Sequence, residues 1–179
     1  GIVLSGGASN TSIWGCEIGE MAGQPRGNTG GGICITGASY NMVGNWASGP
    51  APANIIAHNG GPGICVVAGA APAVGNALLA NAIYSNAAQA IDLGADGITA
   101  NDPVPDADVG PNLRQNFPVL TNVFRASTHV FGQVASGSNK TYAIHLYALD
   151  PENGAPCQFL GRTVVTNGAS GVGSFAFES

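Results

Sequence analysis

Five of the ten acidic residues, Asp92, Asp96, Asp102, Asp106 and Asp108, fall within seventeen consecutive positions. Asp106-x-Asp108-x-Gly110, with Asn101 and Asn112 nearby, sets oxygen donors on a stretch shaped by Gly and Pro. Hard oxygen ligands on a pliable loop suit Ca²⁺, and a divalent ion would neutralise like charges that otherwise repel. The spacing is neither that of an EF-hand nor that of an RTX repeat. Asp102, Asp106 and Asp108 are the expected ligands of a structural Ca²⁺ that locks two domains together, with Asp92, Asp96 and Asn101 as further candidates. The competing reading is a set of Asx turns, each carboxylate capping local backbone amides.

Elsewhere the chemistry is thin. From Gly27 to Ile91 there is no Asp, Glu, Lys or Arg, and the titratable side chains are Cys34, Tyr40, His58, Cys65 and Tyr84. Glycoside hydrolysis needs paired carboxylates, and lyase chemistry needs a base with cations to stabilise an enolate. A groove built on this stretch supplies neither. His129 and His145 sit in strand-like runs without a carboxylate or Cys at ligand spacing, so they read as ordinary strand histidines. Gly6-Gly7 and Gly30-Gly31-Gly32 precede no helix and read as corners, not phosphate loops. No catalytic or cofactor-binding residue is expected, and the chain is not expected to be an enzyme.

The elements that carry these residues repeat. Gly32-Ile33-Cys34-Ile35 through Val43-Gly44-Asn45 is echoed by Gly63-Ile64-Cys65-Val66 through Val74-Gly75-Asn76, 31 residues on, and Gly1-Ile2-Val3-Leu4 lies 31 earlier. A fixed period in this range marks a solenoid, whose repeats bury apolar faces against their neighbours. The next step, 64 to 91, is 27 residues; Ser48-Gly49-Pro50-Ala51-Pro52, read as a bulging loop, accounts for the difference. Apolar alternation at Ile2/Leu4, Ile33/Ile35, Ile64/Val66 and Ile91/Leu93 predicts strands whose other face carries Val3, Cys34, Cys65 and Asp92. A second strand is expected near Ile13-Trp14, Met42-Val43 and Ala73-Val74, and a third at Ile55-Ile56 and Ala82-Ile83. Three short strands per turn fit a parallel β-helix of about three to four coils. Stacking would place Asn45 on Asn76 and Asn59 on Asn86, as amide ladders or as left-handed corner residues. Cys34 would stack on Cys65, either as two small buried hydrophobes or as a disulfide.

Near residue 110 the period stops. Five β-runs follow: Pro118–Val123, Thr128–Val134, Thr141–Leu149, Gln158–Val165 and Ser174–Phe177. Their turn-punctuated spacing predicts a small antiparallel sandwich with an open edge. The fold class is all-β: β-helix coils over 1–115, ending in the acidic loop, then a sandwich over 116–179. Charged residues are 8% of the chain against roughly 25% in ordinary domains. A net charge of −5 argues against nucleic acid and anionic membrane surfaces. No apolar run reaches the roughly 18 residues that span a bilayer. The opening residues read as mid-repeat, which predicts a processed chain or a piece of a longer one.

Ile13-Trp14-Gly15-Cys16-Glu17-Ile18-Gly19, Gly27-Asn28-Thr29-Gly30-Gly31-Gly32-Ile33 and Asn81-Ala82-Ile83-Tyr84-Ser85-Asn86 resemble bacterial right-handed parallel β-helix repeat proteins of the pectate-lyase-like superfamily. Ile91-Asp92-Leu93-Gly94-Ala95-Asp96-Gly97 resembles the end of such a helix, and Phe159-Leu160-Gly161 with Val164-Val165-Thr166 is similar to the Ig-like sandwich that follows in these proteins. The resemblance implies their C-terminal portion and an extracellular or cell-surface location. Over sixty residues without charge imply a covered surface. The expected function is a non-enzymatic structural or adhesive module that assembles, through solenoid ends and sheet edges, with copies of itself or neighbouring coils. The alternative is a carbohydrate-active enzyme or binding module with a polysaccharide partner.

Overall fold

Alternating apolar residues form strands where the 31-residue period places Ile2, Ile33 and Ile64. A computed structural model of the chain describes residues 1–46, 54–124, 129–149 and 156–178, the side chains of 156 and 157 excepted. The expected loop at Ser48–Pro52 lies outside the described residues. The protein is all-β, with parallel and antiparallel sheets. Two compact units interleave in sequence. The first comprises Gly1–Thr99, Gly110–Arg114 and Tyr147–Phe159; the second comprises Ala100–Val109, Gln115–Leu146 and Leu160–Ser179. The sequence reading drew one boundary, between 115 and 116.

In the first unit three parallel sheets are visited in rotation. The first sheet holds Ile2–Leu4, Ile33–Thr36, Ile64–Val67 and Ile91–Leu93; the second, Ser12–Ile13, Met42–Gly44 and Ala77–Leu79; the third, Glu17–Ile18, Ile55–Ala57 and Ala82–Tyr84. In the first sheet the register is the expected one, with Ile2 opposite Ile33, Ile33 opposite Ile64 and Ile64 opposite Ile91. Ile33, Ile35, Ile64 and Val66 are fully buried. They share one core with Ile13 and Val43 of the second sheet and Ile18, Ile56 and Ile83 of the third. Each such side chain contributes about 1.5–3 kcal/mol on burial, which is what welds three narrow sheets into one unit.

In the second sheet the expectation needs correction. The third strand is Ala77–Leu79, not Ala73-Val74, and Val43 lies opposite Leu78. Asparagine sets this register. Asn41 stacks on Asn76, its Nδ2 donating to Asn76 Oδ1 at 3.1 Å, so the local step is 35 residues and not 31. Ala73 and Val74 form the approach to that corner: Val74 N donates to Ser39 Oγ, and Ala73 is buried in the core. One further element escaped the pattern. Glu20–Met21 and Gln24–Pro25 form a small antiparallel hairpin. It turns through Ala22 (φ 51°) and Gly23 (φ 73°), the two positive-φ positions that a tight hairpin turn requires.

Five strands follow residue 115, the number expected, but Tyr147–Leu149 and Pro156–Phe159 of the third and fourth belong to the first unit. Val119–Val123, His129–Ala135 and Val172–Glu178 form a three-stranded antiparallel sheet. Thr141–Leu149 pairs with Pro156–Thr166 in a two-stranded one. Val134 and Phe175 of the one pack with Ile144, Leu146 and Val165 of the other.

Candidate functional site

The acidic residues do not converge. Among the described residues no three of His, Cys, Asp and Glu come together to hold a metal ion. Asp92 is buried under its own turn, accepting from Ala95 N at 2.9 Å and Gly97 N at 3.2 Å. Asp96 pairs with Arg114 at 2.7 Å, and that guanidinium also reaches the Thr99 hydroxyl at 3.4 Å. In the second unit, Asp102 Oδ2 accepts from Ala107 N at 3.2 Å, while its Oδ1 is buried with no hydrogen-bond partner. Asp106 Oδ2 accepts from Asn116 N at 3.3 Å and from the Ser136 hydroxyl. Asn101 clasps the Phe117 backbone, accepting from its N at 2.8 Å and donating to its O at 2.9 Å. Asp108 is half-buried in the same segment. Buried Asn116 ties this segment together, bonding both backbone groups of Asp102 and the carbonyl of Ala135.

The most heavily bonded polar groups are asparagines, stacked in three columns at the corners between sheets. One column runs through Asn41, Asn76 and Asn112. A second joins Asn54 to Asn81 at 2.7 Å. The third joins Asn28 to Asn59 at 2.7 Å and Asn59 to Asn86 at 2.9 Å. In each column an Oδ1 accepts a backbone N–H from the preceding turn, as Asn41 does for Thr11 and Asn54 for Cys16. The Nδ2 groups donate to strand-end carbonyls such as Ile13, Ile18 and Val43. A left-handed residue precedes five of these Asn, namely Tyr40 (φ 58°), His58 (φ 59°), Gly75 (φ 66°), Ala80 (φ 55°) and Ser85 (φ 50°), whereas Asn112 is itself left-handed (φ 45°). The expected Asn59–Asn86 ladder is present. Asn76, however, stacks with Asn41 and Asn112 in place of Asn45.

Sequence reasoning missed one titratable cluster. Buried Glu20 accepts from Tyr84 Oη at 2.7 Å and lies 3.7 Å from His58 Nε2. His58 and Tyr84 meet edge to face with ring centroids 6.0 Å apart. Glu20 precedes the charge-free stretch, so nothing in linear spacing links it to His58. The third-sheet register does: Ile18 lies opposite Ile56, and two more residues along each strand reach Glu20 and His58.

In the second unit, His129 approaches exposed Glu178 at 3.4 Å. Burial, and then the neighbouring Arg162 charge, hold the His145 imidazole below the usual histidine range. The folded state therefore binds fewer protons at this site than the unfolded chain. Its stabilising effect is complete above the unfolded pKa, about 6.5, and fades as pH falls below it. The second unit is expected to melt several degrees lower at pH 5.5 than at pH 7.5. His145→Gln is expected to flatten that slope in scanning calorimetry.

Compared with known proteins, the chain matches no family model and no curated protein. Residue chemistry alone bears on what the protein does.

Proposed function

We propose that this chain is a portion of a right-handed parallel β-helix joined to a small Ig-like sandwich, and that it serves as a non-enzymatic structural or adhesive module at the cell surface. The carrying observation is how its polar groups are used. Three asparagine columns consume the interior hydrogen-bonding capacity of the turns, while Gly27 to Ile91 presents no charge. Right-handed crossover between parallel strands is the rule for such connections. Ile2–Leu4, Ser12–Ile13 and Glu17–Ile18 each terminate a parallel sheet, so one edge of each is a template for another strand. The fitting partner is a further coil, from a longer chain or from a second copy. Sedimentation and electron microscopy of the pure chain test this. Concentration-dependent, end-to-end particles are expected; a dispersed monomer that cleaves an acidic polysaccharide overturns it.

A second reading, a polysaccharide-acting enzyme, draws on Glu20, His58 and Tyr84. A carboxylate, an imidazole and a phenol in contact are general acid–base groups. Screening acidic polysaccharides for cleavage by the wild type and by Glu20→Gln decides it: turnover abolished by the substitution supports this reading, and no turnover removes it.

A structural Ca²⁺ at Asp102, Asp106 and Asp108 is a separable part of the proposal. The orphaned Asp102 Oδ1 is an atom that a hard cation would satisfy. With the ion, adding chelator is expected to lower the melting transition by several degrees, because a ligand bound only to the native state stabilises it. An unchanged transition removes calcium and leaves the carboxylates to their turns.

A further inference from the structure

Cys34 and Cys65 stand directly opposite each other on adjacent parallel strands of the first sheet. Both are free thiols. They lie on the outward side of those strands, between the core residues Ile33 and Ile35 on one and Ile64 and Val66 on the other, and neither belongs to the core cluster. Cys65 is buried, as the reading of two small buried hydrophobes expects, whereas Cys34 is half-buried, with its sulfur 3.3 Å from the Thr36 hydroxyl. Neighbouring strands lie about 4.8 Å apart, inside the roughly 4.4–6.8 Å between Cα atoms that a disulfide spans.

We propose that Cys34 and Cys65 form a reversible disulfide that staples two successive turns of the first unit, with a low-molecular-weight disulfide such as oxidised glutathione as the oxidant. The environment assigns the order of events. Burial, then the Cys34 and Asp92 neighbours, push the Cys65 thiol up to about 12, whereas Cys34 is the more accessible of the two. Cys34, as thiolate, attacks one glutathione sulfur; the S–S bond of glutathione breaks and one glutathione leaves as thiolate. Cys65 then gives its proton to water and attacks the Cys34 sulfur, expelling the second glutathione thiolate. Both released thiolates are protonated by water. The protein loses two hydrogens and one oxidised glutathione becomes two reduced ones. The second step needs the Cys65 thiolate and therefore accelerates with rising pH.

The charge-free stretch makes the product easy to read. Trypsin cuts after Arg26 and next after Arg114, so one peptide carries Cys34 and Cys65 and no other cysteine, while Cys16 and Cys157 fall in different peptides. Folded protein is incubated with oxidised glutathione at pH 8, alkylated, digested and weighed. The expected peptide is lighter by two hydrogens and unalkylated, and the oxidised protein melts several degrees higher, a gain reversed by dithiothreitol. Cys65→Ser is expected to stop at a stable glutathione adduct on Cys34. Cys34→Ser is expected to leave Cys65 unreacted in the folded state. A doubly alkylated peptide from wild-type protein, or a glutathione adduct that never resolves, overturns the proposal, as does an oxidised form that melts no higher than the reduced one.

Discussion

Asn59→Ala is expected to destabilise the first unit by about 4 kcal/mol or more, a larger loss than most single truncations of its aliphatic core. Asn59 is buried and sits mid-column. Its Oδ1 accepts from the Asn28 side chain at 2.7 Å and the Asn28 backbone at 3.3 Å. Its Nδ2 donates to Ile18 O at 3.1 Å, Ala57 O at 3.0 Å and Asn86 Oδ1 at 2.9 Å. Alanine strands all of these partners at once. Each buried polar group left unsatisfied costs about 1–3 kcal/mol, and the cavity is too ringed by carbonyls to close apolar. Asn59→Asp should fare no better, since a carboxylate cannot donate to the two carbonyls and introduces a buried charge. Chemical denaturation of the two variants beside Ile64→Val, a core change worth about 0.5–1.5 kcal/mol, checks the ranking. Equal losses for Asn59→Ala and Ile64→Val would show that the columns are ornament on an apolar core.

Those columns also explain what the sequence made legible and what it hid. The first sheet was readable because Gly-Ile-Cys-Ile and Gly-Ile-Cys-Val alternate apolar and small residues in a pattern that only one strand register satisfies; a slip of one residue would turn Ile33 and Ile35 outward. The Asn59–Asn86 step was readable for the same reason, because the 27-residue spacing of the first sheet (64 to 91) recurs between them. The second sheet was not. Val43-Gly44-Asn45 and Val74-Gly75-Asn76 look like equivalent positions, yet Asn76 stacks beneath Asn41. Asn41 and Asn76 each follow a left-handed residue, and Tyr40 does not announce that conformation by its type. The acidic segment was legible as a cluster but not as a set of turns, because its partners are backbone amides such as Ala95, Gly97 and Ala107, which leave no mark on composition. The Glu20 cluster was invisible for a third reason: its members lie 38 and 26 positions apart along the chain and meet only through the third-sheet register.

The misleading repeat supplies the sharpest discriminating substitution. If Gly44 and Gly75 were equivalent, alanine at either would cost the same. The surroundings say otherwise. Gly44 ends a strand at φ 110°, and a Cβ there would land on the Leu79 carbonyl of the neighbouring strand, with Asn81 Nδ2 at 3.2 Å behind it. Backbone held in a ladder and a column cannot step aside, so Gly44→Ala forces the Met42–Gly44 and Ala77–Leu79 strands apart and disturbs the Asn54–Asn81 column in the same stroke. A loss above about 4 kcal/mol is expected, enough to leave the first unit unfolded or the protein insoluble. Gly75 lies at φ 66°, a left-handed position that other residues in these corners also occupy. The nearest atoms to a Cβ there belong to the Tyr40 ring, 2.7 Å away. Tyr40 is 66% exposed and can swing outward. Gly75→Ala is therefore expected to cost only the roughly 1–2 kcal/mol of a left-handed residue, and Gly75→Asn less, since asparagine tolerates that conformation. Soluble yield and denaturation midpoints of the three variants test the assignment. Similar behaviour of Gly44→Ala and Gly75→Ala would restore the 31-residue equivalence and with it the register that pairs Val43 with Val74.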